Sequence, residues 1–297
     1  MKYLYIFFLP LFFIWNSCEK IEKINNFENT NAENFLGTSN DSLLSLNKSI
    51  KYISWENTIN FLNDEKVILY TFDEMKDNYD QLNGTYTINM HNNLTFLDIH
   101  FDITGFEKWL ILANGTLCDI YRPDGKNIHG VTGSIDRNEN FGLFFKSINA
   151  SSYLTENNKL YSSSNLGIYY TTDMPWVEGV SGFGINEKIF FEKGIIPNGS
   201  MHISIGYVSY DKPYLYEQNS RPKTIKLSIE NKFSIFANLN DTPNYQEIKF
   251  PSDIGEDDIL ILEIIDIYPG TIYDDTCINS ILFEINSGFY ERNDYWE

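Results

Sequence analysis

Between Thr171 and Ile189 the chain reads TTDMPWVEGVSGFGINEKI, with Gly179, Gly182 and Gly184 crowded behind Trp176 and Glu178. A phosphate cradle needs its glycines directly after a strand and at the mouth of a helix, so that backbone N–H groups converge on the anion. Here the order is G-x-x-G-x-G, no Lys-Ser/Thr pair follows, and the KIFFEKG beyond it has no long helical period. A nucleophile elbow needs G-x-S-x-G on a strand-turn-helix. Ser181 is followed at once by Gly182, with Phe183 where the glycine belongs. Both chemistries fail on spacing, and a tight loop between strands remains.

Other reactive residue types are equally scattered. The four histidines, His91, His100, His129 and His202, form no H-E-x-x-H pair, and no Cys-x-x-Cys pair is present. The sequence therefore offers no metal-ligand spacing, each histidine reads as an ordinary strand or turn residue, and neither a metal nor another cofactor is expected. Asp257-Asp258 and Asp274-Asp275 have the chemistry for Ca²⁺ or for glycoside cleavage. Sequence neighbours on a strand point to opposite faces, however, so these pairs read as solvated turns. With no nucleophile joined to a base, the chain reads as a protein that is not an enzyme. Aromatic residues in or beside loops, Trp176, Tyr207, Tyr210, Tyr214, Tyr216, Tyr268 and Tyr273, have flat faces suited to stacking on the apolar side of a pyranose. Glu178, Asn219, Arg221, Asp274 and Asp275 supply groups that bond hydroxyls.

The elements that must position these residues are strands. Aromatics make up 16% of the 297 residues and recur in short runs of β-branched residues, so an all-β protein of one or two domains is expected. KVILYTF, GTYTINM and LTFLDIHFDI read as successive strands, and in GTYTINM Tyr86, Ile88 and Met90 share one face at period two. Asn92-Asn93, Asn114-Gly115 and Asp124-Gly125 separate such runs and favour tight hairpins. The prediction is a small antiparallel β-meander or partial barrel over residues 49–150, closed by FGLFFKS (Phe141–Ser147) and similar in strand pattern to a small lipocalin-like barrel. A Ser- and Asn-rich linker at 151–159 follows, then regular short strands over 160–286 that argue for a jelly-roll β-sandwich, and a fraying tail at 287–297.

Lys2 precedes an apolar run, Tyr3 to Trp15, of signal-peptide length and too short to span a bilayer. It ends in Asn16-Ser17-Cys18, which resembles the bacterial lipoprotein processing site in the looser form tolerated by spirochaete lipoproteins. Residues 1–17 are thus expected to be a signal peptide, Cys18 the lipidated residue, and 18–48 a polar flexible tether. The resemblance implies a chain lipid-anchored in the cell envelope, at the outer surface or the periplasmic face. Cys118 and Cys277 lie inside apolar strand-like stretches and read either as buried free thiols or as a pair. A net charge of −19 without a segregated basic patch excludes a nucleic-acid partner.

Five ordered blocks carry a family resemblance: Asn165-Leu166; WVEGVSGFGINEKI (Trp176–Ile189); IGYVSYDKPYLYEQNSRPKTIKL (Ile205–Leu227), with Asn219, Arg221 and Lys223; LNDT (Leu239–Thr242), with Gln246; and IYPGTIYDDTCINSILF (Ile267–Phe283). Together they make the segment similar to the NADase-type glycan-binding domain, one of the galactose-binding-like, discoidin-type sandwiches. The resemblance implies a glycan partner, with Trp176, Glu178, Tyr207, Asn219, Arg221 and Asp274 lining or supporting the binding face. It supplies no catalytic activity: NAD cleavage belongs to a separate domain with paired glutamates one residue apart, and no Glu-x-Glu occurs in this chain. The expectation is a membrane-anchored, non-enzymatic carbohydrate-binding lipoprotein. Its alternative is a protein-binding adhesin or envelope assembly factor that uses the sandwich as a structural module.

Overall fold

A computed structural model describes residues 33–35, 51–53 and 57–284, the last with gaps at 74, 116, 124–126, 133–140, 143, 169–170 and 197–198. The signal segment, Cys18, most of the tether, the Asp124-Gly125 turn and the tail lie outside the described residues. Strand β1 (Glu33–Phe35) belongs to the stretch expected to be tether. Eight antiparallel strands then close a barrel: β2 (Lys51–Ile53), β3 (Asn57–Phe61), β4 (Lys66–Asp73), β5 (Asn78–His91), β6 (Leu94–Phe101), β7 (Gly105–Ala113), β8 (Leu117–Tyr121) and β9 (Ile128–Thr132). Each pairs with its sequence neighbour, and Tyr52↔Thr132 with Ile53↔Val131 joins β2 to β9. The barrel is closed, not partial.

Its turns follow from residue type. Asn92 and Asn93 have φ of 51° and 62° between β5 and β6, the left-handed pair that a tight hairpin requires. Eight strands leave an interior just wide enough for side chains. Tyr52, Phe61, Leu69, Tyr86, Phe101 and Trp109 help to fill it. Tyr86, Ile88 and Met90 share a face as expected, but only Tyr86 is enclosed, because β5 runs on past the packed interior. From β6 to β8 both faces are buried. Trp109, Ile111, Cys118 and Ile120 point inward, while Leu94, Phe96, Leu110, Leu112, Leu117 and Tyr121 pack outward against Val208, Tyr216, Tyr245 and Leu282. Two buried faces explain why WLILA of β7 and LCDIY of β8 read as near-continuous apolar runs where a half-solvated strand would alternate.

The remaining strands are β10 (Phe141–Gly142), β11 (Phe145–Ala150), β12 (Thr155–Glu156), β13 (Lys159–Leu160), β14 (Trp176–Val177), β15 (Lys188–Gly194), β16 (Ser200–Ile205), β17 (Arg221–Ile229), β18 (Phe233–Asn238), β19 (Gln246–Lys249), β20 (Ile259–Tyr268) and β21 (Cys277–Glu284); one short helix, α1 (Leu215–Gln218), precedes β17. One sheet runs β1-β18-β17-β20-β15-β11. The other runs β10-β21-β16-β19, with β14 also on β21. Between them lies an apolar core that includes Trp176, Phe191, Ile203, Leu227, Leu262 and Phe283. This is a β-sandwich, and the chain is all-β.

Three sequence boundaries are corrected. FGLFFKS does not close the barrel: β10 pairs with β21 and β11 with β15, because Phe145 completes the sandwich core against Phe191 and Phe283. The expected linker is not a linker. Leu154 N–H donates to Val177 O, Val177 N–H to Tyr161 O and Tyr161 N–H to Leu154 O, which lace it to β14. Glu33–Phe35 pairs in parallel with β18, so the tether stretch contains one strand of the sheet. Cys118 and Cys277 are free and buried, and burial pushes both thiols well up.

Candidate functional site

The glycine loop between β14 and β15 encloses a carboxylate. Glu178 is fully buried and accepts from Val180 N–H at 2.7 Å and Thr276 N–H at 3.4 Å. A Cβ on Gly184, whose φ is +63°, would stand 2.5 Å from Glu178 Cγ, and one on Gly179 would stand 2.4 Å from Tyr153 O. Glycine is required here for close approach to a side chain and to backbone, with no anion involved. Burial, opposed by the two backbone donors and aided by the charges of Asp275 and Glu187, pushes the Glu178 carboxyl up to about 7.

Most of the residues expected at a binding face are interior. Trp176 pairs in register with Ile278, turns into the sandwich core and donates Nε1–H to Ser152 O at 3.1 Å. No face of it is open for a sugar. Arg221 is buried, with Nε 2.7 Å from Asp241 Oδ1 and Nη2 2.8 Å from Asp241 Oδ2. Its Nη1 donates to Tyr216 O and Asn219 O. Asn219 is buried and donates Nδ2–H to Leu215 O, closing the end of α1. A buried guanidinium needs partners for its donors, and here the chain itself meets four of the five. Trp176, Glu178, Asn219 and Arg221 therefore support the loops and do not line a face. Asp274 is exposed in the turn before β21, apart from the cleft lining, and Tyr207 is half-buried.

Of the expected residues, Tyr207 alone lines a cleft of about 410 Å³ at the loop end of the sandwich. Tyr161 forms the floor with it: the hydroxyls are 3.3 Å apart and the rings meet at 60°. The β12–β13 hairpin, turned through Asn157 and Asn158 at φ 50° and 63°, brings Glu156, Asn157 and Lys159 to one wall. Lys159 Nζ donates to the Asp173 carbonyl and sits 4.8 Å from the Tyr161 ring centre. Asp173, Asp211 and Lys212 complete the rim. Burial, and next the hydrogen bond with Tyr161, pushes the Tyr207 hydroxyl well up, so it stays a neutral donor and acceptor. Aromatic faces ringed by short-reach donors and acceptors suit a hydroxyl-rich ligand.

Lys159 and Tyr161 escaped the sequence reading because they fall in or beside a stretch that looked like a linker, and Asp173 because a lone acidic residue before Trp176 carries no spacing signal. The Asn157-Asn158 pair is a hairpin signal of the same kind as Asn92-Asn93, and it was the available clue. The metal-capable group among the described residues, His202, Glu247 and Glu284, lies elsewhere.

Residues 140–284 match the family described as the NAD glycohydrolase translocation F5/8 type C domain. That segment is a discoidin-like sandwich domain of this type, and the barrel precedes it. A solved structure similar to the chain is the family 32 CBM from C. perfringens NanJ in complex with galactose, at 14% identity and a TM-score of 0.35, covering 48% of this chain and 99% of that one. No curated protein matches the chain.

Proposed function

We propose that the protein is a non-enzymatic carbohydrate-binding lipoprotein of the cell envelope, and that its sugar site is the cleft floored by Tyr161 and Tyr207. The observation that carries this reading is the phenol pair, Tyr207 half-buried and Tyr161 buried beneath it, ringed by Lys159, Asp173, Asp211 and Lys212. The discoidin-like fold of residues 140–284 agrees with it. The barrel packs along β6–β8 against the sandwich. The anchor itself rests on Lys2, the apolar run to Trp15 and Ser17-Cys18. Labelling with a fatty-acid analogue tests it: incorporation is expected in the native chain and none in Cys18→Ala.

A glycan array probed with the purified protein tests the site. Saturable binding is expected, weakened about tenfold in Tyr207→Phe, which removes one hydroxyl and keeps the ring. Binding unchanged in Tyr207→Phe and in Lys212→Ala moves the ligand away from the cleft. A second reading, a protein-binding adhesin, is favoured by Val180, Phe183 and Ile185, three partly exposed apolar side chains on the glycine loop. No array binding, together with capture of an envelope protein that Phe183→Ser abolishes, selects it.

A further inference from the structure

On the outer face of the five-stranded sheet, where the barrel meets the sandwich, three side chains with metal-binding atoms converge. His202 on β16 stands opposite Glu247 on β19, and Glu284 ends the neighbouring β21. One nitrogen or oxygen from each lies within 4.8 Å of the others. Around the imidazole the spacing is tighter. His202 Nε2 is 3.2 Å from Glu284 Oε2 and 3.1 Å from Ser200 Oγ, and Ser200 Oγ is 3.2 Å from Glu284 Oε2.

These three atoms form a nearly equilateral triangle. Bonds of about 2.0–2.1 Å to a tetrahedral ion put neighbouring ligand atoms about 3.3–3.4 Å apart, so the triangle has almost the dimensions of one face of such a shell. Hydrogen bonding accounts for it less completely. Three edges share at most two hydrogens, one on the hydroxyl and one on Nε2. His202 is almost completely buried, held by the Asn114 amide of the β7–β8 turn, whose Nδ2 is 3.0 Å from Nδ1.

We propose that His202, Glu247 and Glu284, with Ser200 Oγ as a fourth neighbour, bind a divalent transition ion of the Zn²⁺ class at the seam between barrel and sandwich. One imidazole and two carboxylates suit such an ion, whereas Mg²⁺ and Ca²⁺ take all-oxygen shells. The site shares no residue with the sugar cleft. It would join three strands of the sandwich, β16, β19 and β21, and, through Asn114, a turn of the barrel. Lys249 Nζ, 3.8 Å from Glu247 Oε1, is the cation that the ion must displace from that carboxylate.

Asn114 sets the strength of the site. A metal on Nε2 requires the proton on Nδ1. Asn114 Oδ1 already accepts Leu117 N–H at 2.8 Å, so its amino group faces Nδ1 and must turn away when the ion binds. An aspartate there accepts from both Leu117 N–H and Nδ1–H, the carboxylate–histidine arrangement that strengthens a ligating imidazole.

The test is a Zn²⁺ titration of the full chain, purified with chelator, followed by calorimetry and thermal melting. One equivalent bound and a raised melting temperature are expected. Glu247→Ala, at a partly exposed position where folding is not at stake, should weaken binding at least about tenfold, and Asn114→Asp should tighten it by about tenfold. Mg²⁺ should give no shift. Absence of stoichiometric Zn²⁺, or a bound equivalent whose affinity is the same in Glu247→Ala, Glu284→Gln and Asn114→Asp, overturns the proposal.

Discussion

The barrel and the sandwich are built from the same kind of strand, yet they differ in where their hydrogen-bond ladders end. In the barrel every strand pairs with its neighbour in sequence, and β2 meets β9, so no edge is left. Its interior is filled, and its outer wall over β6–β8 is covered by the sandwich. The sandwich instead joins strands far apart in sequence, such as β1 with β18 and β11 with β15, and loops connect them at its ends. The cleft lies there, among loops held by a rigid scaffold. Closure makes the barrel a support, and long-range pairing with protruding loops makes the sandwich the part that can present a site.

Unfolding tests the comparison most strongly. Trp109→Ala in the barrel and Trp176→Ala in the sandwich should each cost about 3–5 kcal/mol. Because the two share an apolar cluster and the Tyr245–Asp119 hydrogen bond of 2.6 Å, both variants should shift one common transition in calorimetry. Two separate transitions would break the picture of a docked support.

Glu178 gives a somewhat smaller effect with a definite sign. Its folded carboxyl sits at about 7, against 4.5 for a free glutamate, so the folded state holds the proton more tightly than the unfolded chain. The associated stability is complete below about pH 4.5 and is lost as pH rises through 7, up to about 3 kcal/mol. Glu178→Gln, neutral and still able to accept from Val180 N–H, should therefore be more stable than the native protein at pH 8 by up to that amount. The gap should vanish at pH 4. Urea unfolding at the two pH values checks it, and a pH-independent difference would count against the buried carboxyl.

At the seam, Tyr245→Phe removes the donor to Asp119 and the contact with Ser280. A loss of about 1–3 kcal/mol is expected, again in the common transition. The smallest stability change should come from the cleft: Tyr207→Phe should alter unfolding by less than about 1 kcal/mol while weakening glycan binding, as the array would report. A large loss of stability in that variant would make the phenol pair structural.

Local signals carried the strands and several turns. Period two in GTYTINM and the asparagines at 92–93 are read from adjacent residues, and the φ angles that the asparagines favour appear in the structure. The double-sided burial of β7 and β8 was present in the near-continuous apolar runs WLILA and LCDIY, but what covers the outer face comes from Val208, Tyr216, Tyr245 and Leu282, all distant in sequence. The site was less legible. Trp176, Glu178, Asn219 and Arg221 have side chains equally suited to a ligand or to a loop's own backbone. Only the identity of their partners, Ser152, Thr276, Leu215 and Asp241, decides between the two.

The sequence by itself determined an all-β chain, a tight glycine loop behind Trp176 and a discoidin-like segment, because period, turn residues and ordered motifs are properties of neighbours along the chain. Only the tertiary structure decided that the meander closes, that β11 belongs to the sandwich, and that Tyr161 and Tyr207, 46 residues apart, share one cleft floor. The physical reason is that burial depends on which surfaces stack. A side chain becomes core or binding face through contacts made by residues it does not adjoin.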